Sequence, residues 1–435
     1  MRRRVVSWLL LGAPALAAQT PATRGDTVGL AELQASARRS DPRTAQLELL
    51  ESQSRLRLRG IALERRPAFT LEGQGQYQSD VTKISIESPV PAPFAPEIPT
   101  PPHDTWDASL GIQQPIIDPS LAPRRNVERA QLAESRARVR VSLHARRQEV
   151  NDAYFTALLL QTRTEELSAA IADLDAQHQV VAARVRDGAA LPGEAAALRA
   201  ARLRREQDVA AVRADRRAAL AVLARLTGRS LDDAVVLRRT DTAAVARARI
   251  DSIRARPEYE QFRAARALLA TQADAAAARE RPRLSAYGRA GYGKPGLNMI
   301  SDRFDSYWLV GLRVQWTPFT WGAPAREREV LALQARIVRS DEEAFTDAIQ
   351  RSVERELAAI DRADAALALD DEIIALREGI EREARARLRE GVLTAAEYVD
   401  RRTDVLEARL ARATHATELA QARARLLTTL GLEVP

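Results

Sequence analysis

The sequence predicts a mainly α protein with a small β part, in which long-helix hairpins and pairs of strands each occur twice. Three observations carry this. Pro123 to Arg186 and Pro324 to Glu390 contain no proline after their first residue and no glycine except Gly379, and both are dense in the strong helix formers Ala, Arg, Leu and Glu. Ahead of each stretch the apolar period changes from helical to two. Landmark prolines and glycines then recur at fixed offsets along the 435 residues.

Each long stretch reads as one uninterrupted helix. At 1.5 Å per residue, ~65 residues make a rod of roughly 100 Å, about three times the ~30 Å hydrocarbon thickness of a bilayer. Rods carrying so many arginines and glutamates cannot face lipid, so they must run through water. Leu167, Ile171, Leu174, Val181 and Val185 step by four, three, seven and four, with His178 in the missing slot. Leu369, Ile373, Leu376 and Ile380 repeat the four-three-four step. The expectation is a coiled-coil seam along both rods.

Composition excludes several classes. Cysteine is absent, which removes disulfides, thiolate metal sites and cysteine nucleophiles. The formal charge is +7, but Arg2, Arg3 and Arg4 supply three of those charges. Elsewhere Arg alternates with Glu and Asp, the pattern of solvated helix flanks rather than of a basic face for nucleic acid. Met1 to Ala18 reads as a secretory signal: a basic start, a mostly apolar run from Val5 to Leu11, and Ala15-Leu16-Ala17 as a small-residue cleavage site. No cysteine follows, so an exported chain without a lipoprotein anchor is expected.

The landmarks define a tandem repeat. Asp41-Pro42 and Pro67 recur as Arg256-Pro257 and Pro282, a shift of 215, while Pro115, Gly188 and Gly228 recur as Pro318, Gly391 and Gly431, a shift of 203. The first repeat is assigned to residues 19–239 and the second to 240–435, with one length change of 12 residues. That change falls in a proline-rich loop holding Pro89, Pro91, Pro93, Pro96, Pro99, Pro101 and Pro102, which should be irregular and exposed.

Strict alternation places strands at about 68–77 and 105–114 in the first repeat and about 283–292 and 307–317 in the second. Some ten residues suit a strand tilted through a membrane. Trp106, Trp308, Trp316 and Trp321 lie at the strand ends or just past them, as in an aromatic girdle. A small soluble sheet packed on the helices is the alternative. In lipid, four strands cannot close alone, and an open edge is not tolerated there. Copies must then pool their strands; two would give eight and three would give twelve.

Arg186-Asp187-Gly188 and Arg389-Glu390-Gly391 end the rods, each with a glycine able to take a left-handed cap. New helices start at Pro192 and Thr394 and run to Gly228 and Gly431. Thr394 with Glu397 three residues on is a capping box.

Taken together, the repeated helix-Pro segments, Gln113-Gln114-Pro115-Ile116-Ile117-Asp118, Trp316-Thr317-Pro318-Phe319-Thr320-Trp321-Gly322 and the Gly391-Val392-Leu393-Thr394 tip resemble the TolC family of outer-membrane efflux proteins. The likeness spans nearly the whole mature chain. It implies a homotrimer: a trimeric α-barrel across the periplasm, capped by a shared twelve-stranded transmembrane β-barrel in outer-membrane lipid, four strands per chain. It further implies a passive exit duct for small molecules in a tripartite efflux or type I secretion system. The implied partners are a periplasmic adaptor (membrane fusion) protein and an inner-membrane pump of RND or ABC type. The family's periplasmic gate positions, six and nine residues after the second tip glycine, hold Glu397 and Asp400. The first copy has Glu194 and Ala197 at the same offsets, and Leu393 stands where the family has a basic residue. Adaptor docking is expected at Arg186, Asp187, Gly188, Arg389, Glu390, Gly391 and Thr394.

No enzymatic chemistry is expected. His103, His144, His178 and His415 form no pair at ligand spacing, and the sequence has no phosphate loop, nucleophile motif or cofactor fingerprint. No catalytic, cofactor or metal residues are assigned. The competing functional reading is a periplasmic coiled-coil adaptor or structural protein with a soluble sheet.

Overall fold

The computed structural model describes residues 27–82, 100–239, 250–299 and 301–434. The signal-like stretch Met1 to Ala18 and Pro89, Pro91, Pro93, Pro96 and Pro99 of the proline-rich loop lie outside the described residues. In chain order the elements are β1 (Thr27–Val28), α1 (Leu30–Ser40), α2 (Arg43–Leu63), β2 (Ala68–Tyr77), β3 (Asp104–Ile117), α3 (Leu121–Arg186), α4 (Pro192–Thr227) and β4 (Val236–Leu237). A 3-10 turn (Ile250–Ala255) leads into α5 (Pro257–Ala278), β5 (Arg283–Lys294), β6 (Asp305–Gln315), α6 (Ala323–Glu390) and α7 (Ala395–Thr429). The two rods α3 and α6 are 66 and 68 residues long, each unbroken.

The chain divides into two compact units, each drawing on both halves of the sequence. One comprises residues up to Ala45, Val139–Pro257 and Phe345–Pro435; the other comprises Gln46–Arg138 and Glu258–Ala344.

In the first unit α3, α4, α6 and α7 share a core. Leu174, Val181, Leu198, Ala384, Leu388, Ala395 and Tyr398 form one buried cluster, and Leu167, Ala170, Val209 and Leu406 form another. The proline-marked break after α1 is held by Asp41, whose carboxylate accepts from the Arg43 backbone N–H at 2.9 Å and takes the Arg43 guanidinium at 2.6 and 2.9 Å. Those Arg43 contacts keep the Asp41 carboxyl below the usual carboxylate range despite its burial. Gly228 and Gly431, both in the left-handed region at φ 66° and 79°, abut the corresponding breaks. A Cβ on Gly228 would stand 2.6 Å from Cβ of Ser40, and one on Gly431 would stand 3.2 Å from the Arg256 backbone nitrogen. Each α4 or α7 terminus thus needs glycine for both its cap and its contact.

The first unit also contains a two-stranded parallel pair, β1 with β4, that period reading gives no hint of. It is pinned to α3 by Tyr154, whose buried hydroxyl donates to the main-chain oxygen of Arg238, and by Gln161, whose Oε1 accepts from the Leu237 N–H at 2.9 Å.

The two apolar stripes are placed differently in the chain. On α3, Leu167, Leu174 and Val181 are buried, but Gln177 fills the slot between them, with His178 only half-buried. On α6 the stripe faces outward: Leu369, Ile373, Leu376 and Ile380 are 61, 45, 63 and 46 % exposed. What α6 buries on its other side includes Ala363, Asp370, Glu381, Ala384 and Leu388, with Asp370 2.6 Å from His415 Nδ1. An apolar stripe was legible there; which side of the helix meets this chain was not.

In the second unit β2, β3, β5 and β6 form one sheet, antiparallel throughout, in the order β2-β3-β5-β6. Alternation alone would end β3 at Gln114, ahead of Pro115. The strand runs on to Ile117 because the register shifts between Pro115 and Ile117, the kind of irregularity that tolerates a proline lacking a ladder N–H.

Candidate functional site: the helix tips and the sheet faces

The rods end in a pair of matched turns. After α3, Gly188 N–H donates to the Val185 oxygen at 3.2 Å and Ala189 N–H to the Arg184 oxygen at 2.8 Å; after α6, Gly391 N–H donates to the Leu388 oxygen at 3.2 Å and Val392 N–H to the Arg387 oxygen at 2.9 Å. Both are Schellman caps with left-handed glycines, φ 71° and 76°. Arg186, Asp187, Gly188, Arg389, Glu390, Gly391 and Thr394 are all exposed. Two apolar side chains that sequence reasoning missed stand out beside them, Leu191 and Val392, 71 and 74 % exposed.

The tips are joined to each other. Arg184 Nη1 donates to the Leu388 oxygen at 2.7 Å and Nη2 to the Ala189 oxygen at 3.3 Å. One guanidinium therefore bridges the Leu388 carbonyl, near the end of α6, and the Ala189 carbonyl, just past the end of α3.

Glu397 and Asp400 lie exposed on the first turns of α7. Glu397 closes the capping box: its Oε2 accepts from the Thr394 N–H at 2.9 Å and from Thr394 Oγ1 at 2.8 Å, and its own N–H donates to Thr394 Oγ1 at 3.3 Å. Those Thr394 hydrogen bonds, backbone first, lower the Glu397 pKa below its ordinary value, so it is ionised at neutral pH. In the first copy Glu194 is half-buried, and Ala197 packs on the tip core.

Behind these tips lies a charged cluster with no counterpart in the sequence reading. The buried Tyr398 hydroxyl sits 2.9 Å from Glu381 Oε1 and 3.1 Å from Asp173 Oδ2. Arg385 donates to Asp173 at 2.8 Å and to Glu381 at 2.9 Å, and the Arg402 guanidinium pairs with Asp173 at 2.9 Å. Three helices, α3, α6 and α7, contribute to this cluster. Burial, and then the two carboxylates, push the Tyr398 hydroxyl far above the usual tyrosine range. The signal that was available is one i, i+4 pair, Glu381 with Arg385.

The sheet has two unlike faces. One carries Phe69, Leu71, Trp106, Leu110, Ile112, Trp308, Val310, Leu312 and Val314, brought side by side by the strand registers. Apart from Ile112, these side chains are 52–85 % exposed. A soluble sheet laid on its own helices would bury them, so the adaptor reading is not favoured. Trp106 lies over Gly75, where a Cβ would stand 2.7 Å from its ring. Trp316 donates to the Glu280 oxygen at 3.0 Å, and Trp321, at φ 53°, is 91 % exposed. The other face bears Thr70, Glu72, Gln74, Asp107, Ser109, Arg289, Tyr307 and Arg313. Among the described residues no helix is long and apolar enough to cross a membrane.

No protein-family model and no curated protein matches this sequence. Solved structures match over nearly its full length. The chain is similar to CusC, studied for transmembrane channel formation, at 14 % identity over 93 % of this chain and 92 % of that one, with a TM-score of 0.70. It is similar to the outer membrane protein VceC of Vibrio cholerae at 14 % identity over 93 and 97 %, TM-score 0.65, and to the MtrE outer membrane channel of Neisseria gonorrhoeae at 16 % identity over 93 and 89 %, TM-score 0.64. The fold of this chain is therefore the fold of outer-membrane channel proteins, the architecture that its duplicated rods and paired strands resemble.

Proposed function

We propose that this chain is one protomer of a passive outer-membrane exit duct for small molecules, working in a tripartite efflux or type I secretion system. One observation carries the proposal: a four-stranded antiparallel sheet, apolar on one exposed face and polar on the other, whose edge strands β2 and β6 each lack a second partner strand among the described residues. Such a sheet sits in lipid only when closed. β2 and β6 run antiparallel, so β6 of one copy can pair with β2 of the next and preserve the alternation around the ring. The fold relatives are outer-membrane channels, and three copies give twelve strands. The outward stripe of α6 supplies an apolar surface for the neighbouring copy's rods.

In this reading each repeat, 19–239 and 240–435, contributes two strands and one rod hairpin. Trp106, Trp308, Trp316 and Trp321 sit at the two lipid-water interfaces. The tips Arg186 to Gly188 and Arg389 to Gly391 with Thr394 receive a periplasmic adaptor, Leu191 and Val392 adding apolar contact. The adaptor connects to an inner-membrane pump of RND or ABC type, which supplies the energy that the duct does not. Glu397 and Asp400, repeated around the mouth, form rings of like charge that favour cations.

The test is conductance of the detergent-purified protein in planar bilayers. The duct reading expects cation-preferring channels from outer-membrane fractions, with the preference reduced in Glu397→Ala/Asp400→Ala. Material recovered from the soluble periplasmic fraction and unable to conduct would end the duct reading; unchanged selectivity in the double variant would remove the gate assignment alone.

A further inference from the structure

The polar face of the sheet is divided by charge. The first strand pair places Glu72 and Asp107 there; the second pair supplies Arg283, Arg289 and Arg313, with Asp305 its one acid, at the start of β6 eight residues from Arg313. Arg289 is satisfied on several sides: Nη2 donates to Asp107 at 2.6 Å, Nε donates to Ser109 Oγ at 2.8 Å, and Glu72 lies 3.8 Å away. Tyr307 donates its hydroxyl to the second Asp107 oxygen. Arg283 stands 3.8 Å from Asp118. Arg313 is exposed and, among the described residues, forms no ion pair.

Arg313 is nevertheless held in place. Its guanidinium lies 4.9 Å from the centroid of the Tyr287 ring. Tyr287 can lie flat because the residue opposite it is Gly311, where a Cβ would stand 2.7 Å from the tyrosine oxygen. The same device recurs with the strands exchanged: Tyr307 lies over Gly291, and Arg289 sits 6.0 Å from the Tyr307 ring. Of two tyrosine-shelved arginines on one strand pair, one is neutralised by Asp107 and the other keeps its charge.

We propose that Arg313 is an anion-attracting residue of the pore wall, a site for small inorganic and carboxylate anions that moderates the cation preference set at the mouth. The proposal rests on the duct reading, in which the polar face lines water. With one guanidinium face against Tyr287, the other face and the Nη donors stay open to a passing anion, the geometry that suits carboxylate and phosphate oxygens. Each copy contributes one such group, and a ring of like charge concentrates counter-ions in a confined channel.

The wild-type protein, Arg313→Gln and Arg313→Lys are compared in planar bilayers under a potassium chloride gradient, with heat-modifiable oligomer confirmed for each. A unit charge about 10 Å from an ion in water changes its local population by roughly twofold, so the ratio of chloride to potassium permeability is expected to fall about twofold or more in Arg313→Gln. Arg313→Lys keeps most of the wild-type ratio. If the wild type conducts and Arg313→Gln leaves the ratio unchanged, as it would were a neighbouring copy's Glu72 neutralising the charge, the inference fails while the duct stands. A wild type that does not conduct removes both.

Discussion

Arg184, near the end of the first rod, donates to the main-chain oxygen of Leu388, near the end of the second, at 2.7 Å. The two residues are 204 positions apart, and the bond spans two hairpin tips that are each closed by the same cap. Where the family resemblance calls for a basic residue after the second tip glycine, this chain has Leu393; a tip-to-tip contact is made by Arg184 instead.

Arg184→Met keeps the apolar stem and deletes the clamp. A hydrogen bond from a charged donor is worth about 1.5–3 kcal/mol, so amide exchange across residues 387–393 is expected to quicken by about tenfold or more, with no change in the sheet strands. Exchange at the wild-type rate would mean that Arg184 does not hold the tips.

Tyr398 makes the tip sensitive to alkali. Its folded pKa is raised, so the neutral hydroxyl is favoured in the folded state. That contribution is complete below the unfolded value of about 10 and is lost as pH rises through the alkaline range toward the folded one. Tyrosinate absorbance should show one late-ionising group that is missing from Tyr398→Phe. Exchange protection around Tyr398 should fall above about pH 10 in the wild type and be flatter in the variant. Identical profiles would contradict the assignment.

The two tip glycines should differ in what they tolerate. A left-handed alanine costs about 1–2 kcal/mol at either position. At Gly188 a Cβ meets nothing within 4 Å, whereas at Gly391 it would stand 3.1 Å from Nη2 of Arg184. Gly391→Ala is therefore expected to loosen the tips more than Gly188→Ala, and removing Arg184 should narrow the gap. Equal effects, read as local exchange rates, would argue against close packing of Arg184 on the cap.

Much of this fold was legible because its elements are extreme. Sixty-odd residues without proline leave little alternative to a rod, and alternation from Ala68 to Tyr77 leaves little alternative to a strand; the last strand, expected at about 307–317, runs from Asp305 to Gln315. The misses have physical causes. β1 and β4 are two residues each, too short to show a period. β3 passes Pro115 by a register shift, which a proline conceals. Gln177 rather than His178 fills the α3 slot because three-then-four and four-then-three steps are equally helical. The Tyr398 cluster draws on Asp173, Glu381, Arg385 and Arg402, which come together only after the hairpins pack. Glu397 illustrates the reverse: its cap was readable from Thr394 and is present in full.

The α6 stripe predicts assembly. Ile373→Glu with Leu376→Glu places two charges on a surface that a neighbouring copy would bury, where an unpaired charge costs several kcal/mol. The double variant should enter detergent as a monomer and lose its heat-modifiable band. Glutamates at Ala375 and Arg382, which are exposed and lie off the stripe, should leave assembly intact. A stable oligomer carrying both stripe substitutions would show that this face is not the contact.

Closure of one sheet by identical chains is tested most directly by the number of chains in the detergent-purified particle. Native mass measurement is expected to give three copies per particle, with twelve strands in the wall. A particle of one chain would contradict it, because the edges of β2 and β6 would then have nothing to close against.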